Sequence, residues 1–271
     1  MQQQLTKQTP EGFLLVGRID APEQPKAAAV IVHGLCEHFG RYDYVTQRLL
    51  EAGYAVVRFD HRGHGRSMGK KVWYDDRTQI VSDTDLFVEE ARAQFPDLPV
   101  FMIGHSMGGF GAASYGTAHP GKLDGYVLSG AWTRDHAGLA SGAVEQGLDP
   151  ETYIPNELGD GVCSDPAVGE AYLADPRSSS RSSRWRCCAP CTTATSGCAR
   201  RPPISPTRCF CCTAETTVWS ARRTASTCSA KRRRRTSRCA FTRASTTRYS
   251  TSSKRDRVIR DAIEWLDDHV R

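Results

Sequence analysis

The chain has 271 residues, of which 39% are hydrophobic and 24% are charged, and its formal net charge is +6. This composition is typical of a globular protein, and the length suits one α/β domain with a cap or two small domains. No apolar run reaches the roughly 18 residues that a membrane span needs, and the N-terminal residues lack the pattern of a signal peptide. An integral membrane protein and a secreted protein are therefore disfavoured, and we expect a cytoplasmic protein or one with peripheral membrane contact.

The averages conceal an unusual segment between residues 177 and 253. Its 77 residues contain 16 Arg, one Lys and a single acidic residue, Glu215, together with nine of the 11 Cys. Ile204 and Val218 are its only branched aliphatic residues, and it contains no Leu or Met. The basic charge of the whole chain therefore comes from this segment, and the remainder is net acidic and ordinary in composition.

Outside that segment, short apolar runs alternate with amphipathic stretches, a pattern that predicts a mostly parallel sheet flanked by helices. The predicted elements are a strand over 28–33, a helix over 42–52, a strand over 54–59, a helix over 79–95, a strand over 99–103, the start of a strand at 126–128 and a helix over 256–270. We therefore predict an α/β core formed by residues 1–131 and 254–271, with a cap that begins after the fourth strand, at 132–176.

The strongest chemical signal is the G-x-S-x-G pattern at 104–108, which lies between the third predicted strand and a helix. Two glycines let the chain turn sharply and leave the hydroxyl of Ser106 accessible above the sheet. The helix that begins at Met107 directs its N-terminal N–H groups toward a reacting carbonyl. This context predicts that Ser106 is a catalytic nucleophile.

Three segments together resemble the monoacylglycerol lipase and lysophospholipase branch of the α/β-hydrolase superfamily, a group of serine aminopeptidase S33-type hydrolases. They are HGLCEHFGRY at 33–42, FDHRGHGRS at 59–67 and GHSMGG at 104–109. The resemblance covers residues 1–176 and the last 18 residues. It implies an α/β-hydrolase fold and a serine ester hydrolase that releases a fatty acid from monoacylglycerol or a similar single-chain lipid, with no metal or cofactor.

The resemblance also implies roles for particular residues. The backbone N–H groups of Leu35 and Met107 are expected to form the oxyanion hole, and His33 is interpreted as a structural residue of the same loop. Glu37 and Arg41 either border the pocket of the leaving alcohol or form a buried ion pair that braces this loop. Asp60, Arg62 and His64 are expected to hold the loop in which they lie. Trp132, Leu139 and Tyr153 are expected either to contact the acyl chain or to form part of the core of the cap.

A catalytic acid and then a histidine should follow the nucleophile in this fold. The histidines after Ser106 are His119, His136 and His269, of which the first two precede any credible late acid and the third lies in the terminal helix. The region where both groups belong, 177–253, contains Arg, Ser, Thr and Cys instead. As it stands, the segment lacks the acid, the base and the late core strands, so we expect it to be poorly ordered and the chain to be inactive.

We interpret the segment as the result of a change of reading frame. Reading each codon one base earlier turns every Cys codon into a codon for Leu, Val or Met, and Thr codons into codons for His, Asp, Asn or Tyr. Residues 213–220 can then read HGGDDGLV and residues 245–252 can read LYHEIFNE, which resemble the acid loop and the histidine loop of the family. The acid is thus expected at the position of Thr217 and the base at the position of Thr247. This hypothesis requires one frame change near Pro176 and a compensating one near Lys254.

Other interpretations stay open at this stage. A lysophospholipase or a general carboxylesterase differs only in substrate, whereas an aminopeptidase of the same fold is disfavoured by the motif at 33–42. In a different class, Cys188-x-x-Cys191 and Cys209-x-x-Cys212 have the spacing of a zinc ribbon, and KRRRR at 231–235 resembles a phosphate-binding patch. That alternative is a basic zinc or nucleic-acid module on a non-catalytic hydrolase fold. The favoured partner is a small lipid ester, with membrane contact through the cap and no nucleic acid.

Overall fold

The computed structural model describes residues 1–133, 153–155, 166–178, 182–184, 209–213, 240–243 and 252–270. The strands are β1 (Gln2–Gln8), β2 (Leu14–Asp20), β3 (Ala27–Val32), β4 (Tyr54–Phe59), β5 (Val100–His105), β6 (Gly125–Ser129), β7 (Tyr153–Pro155), β8 (Ser182–Arg184), β9 (Cys209–Thr213) and β10 (Ala240–Arg243). The helices are a 3-10 helix over Phe39–Tyr42 and the α-helices α1 (Asp43–Glu51), α2 (Thr78–Gln94), α3 (Met107–Ala118), α4 (Pro166–Ala174) and α5 (Ser252–Asp267).

One sheet of eight strands forms the centre of the fold, in the order β1-β2-β4-β3-β5-β6-β9-β10. The six strands from β4 to β10 in this order are parallel, whereas β1 and β2 are antiparallel to their neighbours. The predicted α/β fold is therefore confirmed. Val32 pairs with Gly104, so the loop after β3 and the turn after β5 leave the sheet side by side.

The apolar core lies on both faces of this sheet. Every residue of β3 and β4 is buried, as expected for parallel strands that are covered by helices on both sides. Alternate residues of β3 enter different clusters, because successive side chains of a strand point to opposite faces. Val30 and Val32 pack with Phe87 of α2, whereas Ala29 and Ile31 pack with Leu266 of α5.

The N-terminal hairpin of β1 and β2 was not predicted. Strand β1 has the sequence QQQLTKQ and is mostly exposed, so it carries little hydrophobic signal. Its position is determined by backbone pairing with β2, in a register that runs from Gln2 opposite Asp20 to Gln8 opposite Leu14. Within the described ranges, no helix has the length and apolar character required to cross a membrane.

Two strands of the central sheet come from the segment at 177–253, which differs from the expectation that this segment lacks the late core strands. Strand β9 pairs with β6 in parallel, with Cys211 opposite Leu128, and β10 pairs with β9, with Thr242 opposite Cys212. Ladder hydrogen bonds join backbone groups, so an extended stretch can occupy such a position whatever its side chains. The sequences CFCCT and AFTR meet that condition.

Candidate active site

Ser106 occupies a strained turn between β5 and α3. Its backbone has φ 52° and ψ −116°, a conformation that residues other than glycine rarely adopt. Its N–H donates to the carbonyl oxygen of Ser129 at 2.9 Å, and its own carbonyl accepts from the N–H groups of Phe110 and Trp132 at 3.0 and 3.1 Å. Hydrogen bonds from three directions thus hold the strained turn in place, as is usual where strain serves a functional site.

The two glycines of the motif allow close backbone packing around this turn. A Cβ atom on Gly108 would lie 2.1 Å from the carbonyl oxygen of Val32 and 2.4 Å from that of His33. A Cβ atom on Gly104 would lie 2.5 Å from the carbonyl oxygen of Gly108. The first turn of α3 therefore packs directly against the end of β3. This packing brings together the two segments that were predicted to form the oxyanion hole.

Leu35 and Met107, the two predicted oxyanion-hole residues, belong to one buried cluster. The two residues are 8% and 2% exposed. Trp132, a predicted acyl-contact residue, is partly buried and packs against the same cluster. Of the other two predicted contacts, Leu139 lies outside the described residues, and Tyr153 is described only as part of β7.

Glu37 is buried and braces the loop after β3. Its Oε2 accepts hydrogen bonds from the N–H of Gly34 at 3.1 Å and from the hydroxyl of Tyr42 at 2.8 Å, while Oε1 lies 3.6 Å from Nε of Arg41. A Cβ atom on Gly34 would lie 2.9 Å from the same Oε2. Of the two interpretations of Glu37 and Arg41, these contacts favour the ion pair that braces the loop.

Three buried histidines connect this loop to the loop after β4. His33 donates from Nδ1 to the carbonyl of Gly34 at 2.8 Å, because its Nε2 accepts the N–H of His61 at 3.0 Å. His61 donates from Nε2 to the carbonyl of His33 at 3.1 Å, and His64 donates from Nδ1 to the carbonyl of Arg62 at 2.9 Å. These contacts fit the interpretation of His33 and His64 as residues that hold the loops.

Burial keeps all three histidines neutral. It lowers the pKa of His33 to about 3 and that of His64 to about 4, and it lowers the pKa of His61 well below its ordinary value. Neighbouring imidazoles oppose a positive charge on His33 and on His61 as well. Protonation of any of the three would therefore disrupt the loops after β3 and β4, of which the first lies beside the nucleophile.

These shifts predict that stability falls as the pH is lowered from about 6.5, the pKa of histidine in an unfolded chain. Below that value the unfolded chain binds protons that the folded chain does not, so each histidine contributes a slope of up to about 1.4 kcal/mol per pH unit. We expect the free energy of unfolding, measured with urea between pH 6.5 and 5, to fall accordingly. His64→Asn, whose amide can still donate to the carbonyl of Arg62, should reduce the slope. An unchanged slope in this variant would contradict the assignment.

Asp60 and Arg62 hold the loop after β4. The carboxylate of Asp60 accepts the N–H groups of Phe39 and Arg66 at 2.7 and 2.8 Å, which ties this loop to the one after β3. Arg62 forms two hydrogen bonds with the buried carboxylate of Asp83, at 2.6 and 2.7 Å. Both residues therefore make the contacts of loop scaffolding, as the sequence indicated.

The predicted positions of the acid and the base lie outside the described residues, but the strands that precede them do not. Strand β9 ends at Thr213, four positions before Thr217, and β10 ends at Arg243, four positions before Thr247. Both strands run parallel to β5. Their carboxyl ends therefore lie at the edge of the sheet from which Ser106 projects.

Sequence reasoning missed His38, which lies in the loop after β3, and two residues that contact this loop, Tyr172 and Asp175. His38 stands within the motif at 33–42, but its partner Asp175 is 137 residues away in the chain.

Among the described residues, no group of three or more His, Cys, Asp or Glu side chains is arranged to bind a metal ion.

Known proteins resemble this chain both in sequence and in fold. The model of the serine aminopeptidase S33 family matches residues 23–235. The monoacylglycerol lipase of Mycolicibacterium smegmatis is 41% identical over 171 residues, which are 61% of each chain, and the human monoglyceride lipase is 38% identical over 104 residues, which are 38% of this chain and 34% of the human one. The chain thus matches less than two thirds of the length of these curated relatives.

A soluble variant of the Saccharomyces cerevisiae monoglyceride lipase, solved with a substrate analogue, superposes with a TM-score of 0.84. The two proteins are 18% identical, and the superposition covers 99% of this chain and 95% of the yeast chain. At this level of identity the superposition establishes a common fold.

Proposed function

Because the chain belongs to the serine aminopeptidase S33 family of α/β hydrolases, we propose that its gene encodes a cytoplasmic serine ester hydrolase that releases a fatty acid from monoacylglycerol or a similar single-chain lipid ester. The observation that carries the proposal is the strained turn at Ser106, whose following helix packs at Gly108 against the carbonyl groups of Val32 and His33. The names of the lipase relatives support the substrate class.

In this mechanism the hydroxyl oxygen of Ser106 attacks the acyl carbonyl and its proton passes to the histidine opposite Thr247. The N–H groups of Leu35 and Met107 stabilise the resulting oxyanion, a contribution of about 2.7–4 kcal/mol for each donor in comparable sites. The histidine then protonates the leaving alcohol, which leaves an acyl-enzyme. Water hydrolyses this ester by the same route in reverse, with the histidine as general base. Glu37 and Arg41 hold the oxyanion loop and do not exchange protons with the substrate.

The mechanism requires the frame change, because the acid opposite Thr217 and the base opposite Thr247 exist only in the alternative frame. The positions of β9 and β10 support it, since each strand ends four residues before one of these positions. Resequencing the coding DNA from about codon 170 to codon 260 tests it directly. We expect one inserted or missing base near codon 176 and a compensating change near codon 254. An unaltered DNA sequence would refute the frame change.

The zinc alternative does not fit strand β9. Residues three apart in an extended strand are separated by about 10 Å along the backbone, because each residue adds about 3.3 Å. A zinc ion binds its thiolates at about 2.3 Å, which requires a turn between the two cysteines of a C-x-x-C pair. Cys209 and Cys212 both lie within β9, so this pair is not placed as a zinc knuckle.

The substrate class is tested with a panel of monoacylglycerol, lysophospholipid and short-chain carboxylic esters. The proposal predicts the highest kcat/KM for monoacylglycerol, and a preference for lysophospholipid would assign the protein to that alternative instead.

The proposal also includes peripheral membrane contact through the cap, supported by Leu173 of α4, which is 52% exposed. Leu173→Asp is expected to reduce co-sedimentation with phosphatidylcholine vesicles.

A further inference from the structure

Helix α4 of the cap contacts the loop after β3 at two points. The ring of Tyr172 is fully buried in the cluster that contains Leu35 and Met107. At the C-terminal end of the helix, Oδ2 of Asp175 lies 2.6 Å from Nε2 of His38. Both cap residues precede the proposed frame change, so they are the same in either reading of the gene.

The contact with Asp175 fixes the orientation of His38. Nδ1 of His38 accepts the N–H of Gly40 at 3.1 Å, so the ring proton sits on Nε2 and is donated to Asp175. Burial opposes the charge of Asp175, but hydrogen bonds from His38 and from the N–H of Arg177 bring its pKa below the ordinary value. Because His38 also caps the 3-10 helix over Phe39–Tyr42, an ionised Asp175 holds the start of that helix from the cap side.

The contact with Tyr172 connects the cap to Gly34 through the side chains of Arg41 and Glu37. The guanidinium of Arg41 lies 5.0 Å from the centre of the Tyr172 ring, within the range of a cation–π interaction. Nε of Arg41 is 3.6 Å from Oε1 of Glu37, and Oε2 of Glu37 accepts the N–H of Gly34 at 3.1 Å. A continuous series of contacts therefore joins α4 to the residue that precedes Leu35.

We propose that Tyr172 and Asp175 are positioning residues: the docking of α4 on the loop at 33–42 orients the N–H of Leu35, so that the oxyanion hole is complete only when the cap is seated. The link to catalysis rests on the proposed function, which assigns the N–H of Leu35 to the oxyanion. The docking contacts are independent of that function and are measured without it.

Amide hydrogen exchange on the full 271-residue chain tests the docking. In Tyr172→Ala and Asp175→Asn, exchange over 33–42 is expected to accelerate about tenfold or more, since each variant removes a buried contact or a charge-assisted hydrogen bond. Leu173→Ala and Glu170→Gln alter exposed residues of the same helix and are the matched controls, with exchange expected within about twofold of the parent. Unchanged exchange over 33–42 in the first pair would overturn the docking, and so would an equal acceleration in β4.

The frame-restored chain, in which residues 177–253 are read one base earlier, tests the link to catalysis. Asp175→Asn should lower its kcat for a soluble ester about tenfold and leave KM within about twofold, because the oxyanion is stabilised in the transition state. Accelerated exchange with an unchanged kcat would overturn the positioning role. A frame-restored chain with no hydrolase activity would refute the proposed function, and the exchange data would still decide the docking.

Discussion

The frame-restored chain is expected to hydrolyse a short-chain p-nitrophenyl ester about 10⁴ to 10⁶ times faster than the chain with residues 177–253 as they stand, which is called the 271-residue chain below. The loss of members of a catalytic triad usually has an effect of this size. The 271-residue chain keeps Ser106 on its strained turn. Its sequence is interpreted as lacking a base that could accept the proton of that serine and an acid that could orient a base. A serine hydroxyl without a base is a weak nucleophile, so the geometry of the turn alone is not expected to give measurable lipase activity.

The comparison needs Ser106→Ala in both chains as its control. In the frame-restored chain this substitution should abolish the activity, and in the 271-residue chain it should change nothing. Robust hydrolysis by the 271-residue chain that disappears in Ser106→Ala would contradict the prediction, because a base for Ser106 would then have to exist without the frame change. Initial rates at several enzyme concentrations, with the circular dichroism of each variant, distinguish catalysis from a failure to fold.

The parts of the fold that could be predicted from the sequence are those with strong local periodicity. Strands β3, β4 and β5 are mostly apolar, and α5 repeats apolar residues at helical spacing, so each carries its own signal. Strand β1 has Leu5 as its single aliphatic residue and depends on pairing with β2. Helix α4 buries Tyr172 alone, and a single buried side chain gives no period to detect.

The residues of the candidate site also differ in how far they could be predicted from the sequence. Ser106 could be predicted because its turn needs glycines at fixed positions, and those positions can be read in one line of sequence. The brace formed by Glu37 was one of two interpretations, and it is favoured by the contacts of Glu37 with Gly34, Tyr42 and Arg41 in the folded chain. The contact between His38 and Asp175 joins residues that are distant in the chain, and no local pattern records such a pair. The positions of the acid and the base were inferred from the genetic code, and that inference uses no structural signal.

Removing the carboxylate of Asp83 is expected to lower the free energy of unfolding by about 3–5 kcal/mol, the usual cost of leaving a buried charge without its partner. Asp83 is fully buried on α2, and Arg62, which it binds through two hydrogen bonds, is 3% exposed. In Asp83→Ala the guanidinium would lose its two shortest hydrogen bonds and keep the longer ones with Glu11, at 3.3 Å. Because Arg62 belongs to the loop that contains His61 and His64, the same variant should also loosen the histidine cluster.

Glu89→Ala is the matched control for this prediction. Glu89 lies on the same helix and pairs with Lys122 at 2.8 Å, but it is 58% exposed. Exposed ion pairs contribute about 0–1 kcal/mol, so urea unfolding should barely distinguish this variant from the parent. The double variant Arg62→Met/Asp83→Leu should recover much of the loss, since an apolar pair needs no buried charge to be compensated. Equal destabilisation by Asp83→Ala and Glu89→Ala would mean that helix α2 responds to the loss of any carboxylate, and that the buried pair has no special part in holding the loop.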